Sequence, residues 1–231
     1  MFLKEPIRIV NEIYDYIGQT DDDYVDDYER KANDDLEKRL MPDEVKDVLL
    51  NCCQVSIGNI ECNEDYTGKI CDIGCAYGFI LNKIKAKEKV GIDISLAYLK
   101  ELDDTIAKIR CNAEDIPLSD HCFDVIICTD VFEHVQDELK LSNEIERLLR
   151  PGGVLLLATP WEQDLSVYET EEYIQKYKKY KYVHLRSVND ELILRCFSNF
   201  NMIASTLITI GMRHMDISPY PLRFMQLQKN Y

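Results

Sequence analysis

Residues 71–78, Cys-Asp-Ile-Gly-Cys-Ala-Tyr-Gly, have the residue types and spacing of a ligand-binding loop. Gly74 and Gly78 would let the backbone turn tightly and approach a ligand closely. Their spacing differs from the GxGxxG pattern that binds the pyrophosphate of a dinucleotide. Asp72 would repel a pyrophosphate but would attract an ammonium group. The loop therefore predicts a ligand that carries positive charge and no phosphate.

Two further segments provide groups that suit a nucleoside. Asp93 follows Asp72 by 21 residues and ends an apolar run, a position from which a carboxylate can accept hydrogen bonds from a ribose diol. Ile94 could pack on an adenine ring, and Asn112 and Ala113 could contact its edge. S-adenosylmethionine combines ribose, adenine, an amino-acid head group and a cationic sulfur without phosphate. The three segments therefore predict it as the cofactor.

Short apolar runs that alternate with helical patterns must position these loops. Five such runs predict strands at 69–73, 90–94, 106–111, 123–128 and 154–159. Alternation of strands and helices predicts a doubly wound, parallel α/β sheet, which binds ligands at the carboxyl ends of its strands. Farther on, the pattern predicts a helix at 188–197, a strand at 200–210 and a last edge strand at 224–228.

Four segments resemble the class I S-adenosylmethionine-dependent methyltransferases, well over residues 65–160 and weakly to 210. They are ICDIGCAYGF (70–79), VGIDIS (90–95), CNAEDIPLSDHCFDVIICTDVFEHV (111–135) and LLRPGGVLLLATP (148–160). The resemblance implies a mostly parallel, seven-stranded, Rossmann-like sheet with an N-terminal helical cap. It implies cofactor-binding roles for Asp72, Gly74, Cys75, Gly78, Asp93, Ile94, Asn112, Ala113 and Thr129. Members often have Asp where this chain has Asn112, whose amide can still pair with adenine.

The loop after the fourth strand, Thr129 to His134, borders both the methionine group and the acceptor in the family that the chain resembles. His134 has the intrinsic pKa of a general base, although the Glu133-His134 pair could instead cap or pack against the following helix. His184 is the second candidate catalytic residue, because relatives often line the acceptor pocket with a similar His-x-Arg segment. Arg186 could bind an acceptor carboxylate or form a surface ion pair.

A divalent metal ion is an alternative use of the same residues. Asp130, Glu133 and His134 form a DxxEH pattern, and His184 could be a fourth ligand. Some methyltransferases of the superfamily resemble this arrangement, with ExxEH and a distant His. The spacing leaves the presence of a metal open. The nine cysteines lack paired CxxC spacing and predict small buried side chains in a reducing compartment rather than zinc ligands.

The charge of the chain is concentrated near its N-terminus. The net charge is −15, and residues 11–50 contribute −9 of it with 14 acidic and five basic side chains. Apolar residues between 7 and 17 fit one helical face, so residues 1–50 are predicted as an acidic helical cap and residues 51–231 as the cofactor-binding domain. The acidity makes nucleic acid an improbable partner.

The sequence thus predicts a methyltransferase that acts on an oxygen or nitrogen of a small molecule. The alternatives are an enzyme that modifies protein or RNA, supported by the Lys/Tyr-rich stretch at 173–182, and a non-catalytic protein that binds S-adenosylmethionine. Asp72 and the missing GxGxxG disfavour a nicotinamide dehydrogenase. No apolar run is long enough for a bilayer and the N-terminus does not resemble a secretory signal, so a cytoplasmic location is expected. The acceptor and the oligomeric state stay open.

Overall fold

A computed structural model describes residues 2–19, 22–38, 43–62, 67–171, 175, 184–210 and 220–231. Its strands are β1 (Arg8–Val10), β2 (Ile13–Asp15), β3 (Lys69–Ile73), β4 (Glu88–Asp93), β5 (Ala107–Arg110), β6 (Phe123–Thr129), β7 (Leu149–Pro160), β8 (Phe200–Ile210) and β9 (Tyr220–Lys229). Its helices are α1 (Asp23–Lys38), α2 (Asp43–Ile60), α3 (Leu96–Leu99), α4 (Glu138–Leu148) and α5 (Asp190–Cys196). Except for residue 175, the Lys/Tyr-rich stretch at 173–182 lies outside the described residues.

One mixed sheet with the order β1-β2-β5-β4-β3-β6-β7-β9-β8 lies at the centre of the molecule. The five strands β5, β4, β3, β6 and β7 are parallel, as the sequence predicts. Their carboxyl ends lie at one edge, where the loops with the predicted site residues follow β3, β4, β5 and β6. The doubly wound α/β class is confirmed, but the sheet has nine strands instead of the predicted seven.

The central strands are apolar because both faces of the sheet are covered. Every residue of β6 is buried, and alternate side chains enter different clusters. Val125 and Ile127 pack with α2 on one face, whereas Ile126 and Cys128 pack with α4 and α5 on the other. The period of two along an unbroken apolar strand therefore builds two hydrophobic layers from one segment.

The helix predicted near residues 7–17 is wrong, because this segment forms the hairpin of β1 and β2. Asn11 and Glu12 are its two-residue turn and both have positive φ angles, 49° and 65°. Such turns match the twist of a hairpin, and Asn is among the residues that favour them. Parallel pairing of β2 with β5 buries Ile13 completely, which the helical pattern could not anticipate. The helical prediction is confirmed for α1 and α2, and α2 continues past residue 50 into the predicted second domain.

The last strand is also placed differently from the prediction. β9 is not an edge strand: it lies between β7 and β8 and pairs antiparallel with both. Met225 and Leu227 of β9 are buried in the core, which favours an interior position. Between β3 and β4 the chain forms a short 3-10 turn at Leu81–Lys83, and α3 is a single turn.

Candidate cofactor and acceptor site

The loop after β3 folds back across the end of β4. The backbone N–H groups of Gly74 and Cys75 both donate to the carbonyl of Ile92, at 2.8 and 3.0 Å. Gly74 has a φ of 72°, and a Cβ on it would lie 2.1 Å from Cγ2 of Val131. Only glycine fits this position without a shift of the loop after β6. The backbone of Gly74 therefore lies against the neighbouring strand end. Its close approach to a ligand stays a prediction.

Asp93 connects the loops after β3 and β4. Its carboxylate accepts hydrogen bonds from the N–H of Ala76 at 2.9 Å and from that of Ser95 at 2.8 Å. Burial raises the pKa of Asp93 to about 6, although the N–H donors counteract part of this effect. Ser95 also caps α3 by accepting from the N–H of Tyr98.

Asp72 is a second buried carboxylate at this edge and is 2% exposed. Among the described residues, its Oδ1 has no hydrogen-bond partner. Burial, followed by the charge of Asp93, raises the pKa of Asp72 well above its usual range. A buried carboxylate without a cation is costly, so this pair fits a ligand with positive charge.

The other predicted cofactor residues differ in how far they are buried. Asn112 and Ala113 are half-buried after β5, where Asn112 Oδ1 accepts from the N–H of Glu114 at 2.9 Å. The amide nitrogen of Asn112 is then the group that could donate to an adenine. Cys75 is 2% exposed and packs in the core, and its thiol donates to the carbonyl of Ala76 at 3.6 Å. Gly78 has a φ of 78° at the loop's end.

Two further predicted residues complete this edge of the sheet. Thr129 is buried at the carboxyl end of β6. Ile94 is half-buried beside Asp93, and its carbonyl accepts from Nε of Arg110 at 3.0 Å. The structure thus brings the loops of the predicted site residues to one edge of the sheet.

Helix α1 lies across these loops. The sequence predicts a helix in this region but does not indicate which of its residues contact the loops. Glu29 accepts hydrogen bonds from the N–H groups of Leu96 and Ala97, at 2.7 and 2.9 Å. Tyr98 donates to Asp35 at 2.8 Å. An acidic run signals a solvated or capping helix, but tertiary packing alone determines which carboxylate meets which N–H group.

The loop after β6 and the segment at 184 meet to form a buried polar cluster. Glu133 is fully buried, and its Oε2 accepts from Thr159 Oγ1 at 3.1 Å. The rings of His134 and His184 lie edge to face with centroids 4.8 Å apart. The N–H of Leu185 donates to the carbonyl of Glu133 at 2.8 Å and thereby fixes the two segments together. The two candidate catalytic residues, His134 and His184, therefore lie next to each other, and their catalytic roles stay predictions.

His184 is held in a defined orientation within this cluster. Its Nδ1 hydrogen-bonds to Tyr168 at 2.8 Å and also to Gln163 Oε1. Burial lowers the pKa of His184 to about 4, against the opposing charge of Asp130. The imidazole is therefore neutral at pH 7 and offers a lone pair, although such a low pKa makes it a weak base. No motif or spacing along the chain points to Gln163 or Tyr168.

Arg186 has a structural role in this arrangement. Its guanidinium donates to the backbone carbonyls of Phe132 and Gln136, at 2.8 and 3.2 Å, and forms an ion pair with Glu138. These contacts clamp the 184–186 segment to the loop after β6. They favour the ion-pair alternative over an acceptor-binding guanidinium.

A doubly wound sheet with a glycine turn after β3 and an acidic residue at the end of β4 is typical of Rossmann-like folds that bind nucleosides. Residues 71–157 match the family model described as a methyltransferase domain, so this part of the chain is similar to the class I S-adenosylmethionine-dependent methyltransferases. S-adenosylmethionine is the cofactor class that this similarity implies.

Known proteins are similar to this chain in sequence over part of their length. An uncharacterized protein of Methanocaldococcus jannaschii is 38% identical over 88 residues, 38% of this chain and 39% of that protein. A ubiquinone biosynthesis O-methyltransferase of Haemophilus ducreyi is 29% identical over 125 residues, 48% of this chain and 53% of that protein. The chain thus spans about half or less of the length of these relatives.

A solved structure extends the likeness to the fold. An S-adenosylmethionine-dependent methyltransferase of Methanosarcina mazei superposes with a TM-score of 0.54 at 18% identity, over 75% of this chain and 96% of that one. At this identity the likeness shows a shared fold alone. Among the described residues, none of the helices is both long and apolar enough to span a membrane.

Proposed function

We propose that the chain is an S-adenosylmethionine-dependent methyltransferase that acts on an oxygen or nitrogen atom of a small molecule. One observation carries the proposal: the buried carboxylates of Asp72 and Asp93 lie at the same sheet edge as the Glu133–His134–His184 cluster. A cofactor site and an acceptor site must adjoin for methyl transfer. When bound, S-adenosylmethionine supplies an electrophilic methyl group on a sulfonium, and its loss leaves S-adenosylhomocysteine.

The residues of the cofactor site fit this ligand chemically. The Asp93 carboxylate would accept hydrogen bonds from the ribose hydroxyls, and Asp72 would face the positive charge of the amino-acid end. Gly74 would admit the ligand close to the backbone. Asn112 and Ala113 would contact the adenine. We propose further cofactor contacts for Cys75, Gly78, Ile94 and Thr129.

The acceptor side must orient a nucleophile and take its proton. Transfer forms a bond from the acceptor oxygen or nitrogen to the methyl carbon, and the electron pair of the broken S–C bond stays on sulfur. His134 and His184 are the candidate groups to hold the released proton. Both are largely shielded from water, so an acceptor between them and the cofactor would be desolvated.

Two observations support a small acceptor. The relative from Haemophilus ducreyi is named for an O-methyltransferase of ubiquinone biosynthesis. The net charge is −15, of which residues 11–50, including α1, contribute −9, and this charge opposes a polyanion. We therefore expect neutral or cationic small molecules to be preferred over anionic ones. The division into a cap at 1–50 and a cofactor domain at 51–231 is part of the same proposal.

Calorimetry with S-adenosylhomocysteine and with NAD tests the cofactor assignment. We expect binding of S-adenosylhomocysteine alone, and binding of NAD alone would overturn the proposal. The wild type is then assayed for S-adenosylhomocysteine release with small phenols, catechols and amines, with RNA and with unfolded protein. Turnover confined to RNA or protein would refute a small acceptor. Tight S-adenosylhomocysteine binding without turnover on any class would favour a non-catalytic protein.

A further inference from the structure

Glu133, His134 and His184 bring three potential metal ligands together. One ligand atom from each lies within 4.8 Å of the other two, and His134 Nε2 is 3.9 Å from Glu133 Oε1. Metal ions bind such atoms at about 2.0–2.2 Å, so two ligands at a tetrahedral angle on one ion are about 3.4 Å apart. Side-chain rotations that shorten the longest of these separations by up to about 1.4 Å would therefore let one ion contact all three residues.

The carboxylate of Glu133 provides an independent reason to expect a cation. Glu133 is fully buried, and within the described part of the chain its Oε1 has no hydrogen-bond partner. The other oxygen accepts only a neutral hydroxyl, that of Thr159. A buried carboxylate oxygen without a partner is costly unless a cation or a donor meets it. Asp130 adds a second carboxylate close enough to influence both Glu133 and His184.

The orientation of His184 also suits a metal ligand. The contact with Gln163 Oε1 suits the tautomer in which Nδ1 of His184 carries the proton and donates it, because a carbonyl oxygen can only accept. The lone pair is then on Nε2. Histidines that bind metals are commonly oriented in this way, with the second ring nitrogen donating to an oxygen.

We propose that Glu133, His134 and His184 bind one divalent first-row transition ion beside the cofactor site. Two imidazoles and a carboxylate are borderline ligands, which suit Zn²⁺, Co²⁺, Fe²⁺ or Mn²⁺ better than Mg²⁺. The use of the ion rests on the proposed function: an acceptor hydroxyl bound to it would pass its proton to the nearby Asp130 carboxylate or to water and attack the methyl carbon as an oxyanion. His134 and His184 would then be ligands instead of proton acceptors. The binding of the ion does not depend on that activity.

Titration of the chelator-treated full chain with Co²⁺ tests the site. We expect one Co²⁺ per chain, visible d–d absorption of a nitrogen–oxygen site, and displacement by Zn²⁺ but not by Mg²⁺. His184→Ala, His184→Gln and Glu133→Gln should each weaken Co²⁺ binding at least tenfold. His121→Ala, which removes an exposed imidazole outside the cluster, should leave binding unchanged.

Thermal unfolding and S-adenosylhomocysteine binding of each variant show whether it folds. Absence of stoichiometric Co²⁺ binding by the wild type would overturn the proposal even if S-adenosylhomocysteine binds. Equal Co²⁺ affinity in the wild type and a folded His184 variant would overturn it as well. Co²⁺ binding that needs His184 without any methyl transfer would support the metal site while the proposed function fails.

Discussion

At the scale of single residues, two opposing effects act on the ionisation of Asp93. Two backbone N–H groups hold its carboxylate in place, yet burial favours its protonated form. A ribose diol would add donors to the ionised form. Cofactor binding and ionisation of this carboxylate should therefore be coupled.

The first prediction concerns this coupling. The Asp93 pKa of about 6 means that acid protonates the carboxylate of the free protein, so we expect S-adenosylhomocysteine affinity to fall roughly tenfold from pH 8 to pH 5. Asp93→Asn should cost about 1–3 kcal/mol of binding free energy and remove the part of the pH dependence centred near 6. Asp72, which faces the same site, accounts for any dependence that remains at higher pH.

Calorimetry at both pH values measures this effect. Asp104→Asn removes a carboxylate that is 94% exposed and serves as the control, with no expected change in affinity. Equal S-adenosylhomocysteine affinity in the wild type and Asp93→Asn would refute the ribose-binding role.

The second prediction concerns Gly74. Gly74→Ala places a Cβ against Val131 at a positive φ, so we expect a loss of about 1–3 kcal/mol in the free energy of unfolding and weaker S-adenosylhomocysteine binding. Gly58→Ala is the matched control, because its Cβ meets nothing within 4 Å in α2. It should be neutral or stabilising by up to about 1 kcal/mol. Denaturant unfolding compares the two, and a Gly74→Ala as stable as Gly58→Ala would contradict the steric argument.

At the scale of elements, the parts of the site that follow strand ends could be predicted from sequence. Gly74 and Asp93 could be predicted as site residues because each lies at the end of an apolar run, where a glycine or a carboxylate is conspicuous in the sequence. The β1–β2 hairpin could not be predicted from the same kind of pattern, since Ile13 is buried by pairing with β5 rather than by a local periodicity. Glu29 likewise contacts α3 through tertiary packing, which spacing along the chain does not reveal.

The third prediction treats α1 as a lid over the site. Glu29→Ala removes the carboxylate that accepts from Leu96 and Ala97, so α1 should open more often. We expect faster hydrogen exchange in residues 23–38 and faster dissociation of S-adenosylhomocysteine, with little change in global Tm. Glu37→Ala, at an exposed position of the same helix, is the control. Identical exchange in both variants would argue against this latch.

At the scale of the whole molecule, the sheet is completed by β9, the last described strand of the chain. β9 pairs with β7 and β8 at once, so the C-terminal end of the chain lies inside the sheet rather than at its margin. Residues 11–50, which include α1, carry −9 of the net charge of −15. Under the proposed function this charge would influence which acceptors bind, whereas the sheet depends on strands that lie far apart in sequence.

The fourth prediction follows from the position of β9. A chain that ends at residue 219 loses the ladder to both neighbours and the buried side chains of Phe224, Met225 and Leu227. We expect it to lack a cooperative thermal transition by calorimetry. Removal of Tyr231 alone, which is 94% exposed, should leave the transition in place. Normal cooperative unfolding of the longer truncation would show that β9 is dispensable.

The cysteines have a practical consequence. All nine are free thiols; those in the sheet interior, such as Cys71 and Cys128, are fully buried, and burial raises their thiol pKa values well above the usual range. Cys62 at the end of α2 is exposed. A thiol reagent should therefore modify Cys62 in the native protein and reach the interior thiols only as the sheet opens. The rate of their modification would report how often the centre of the molecule opens, without an added probe.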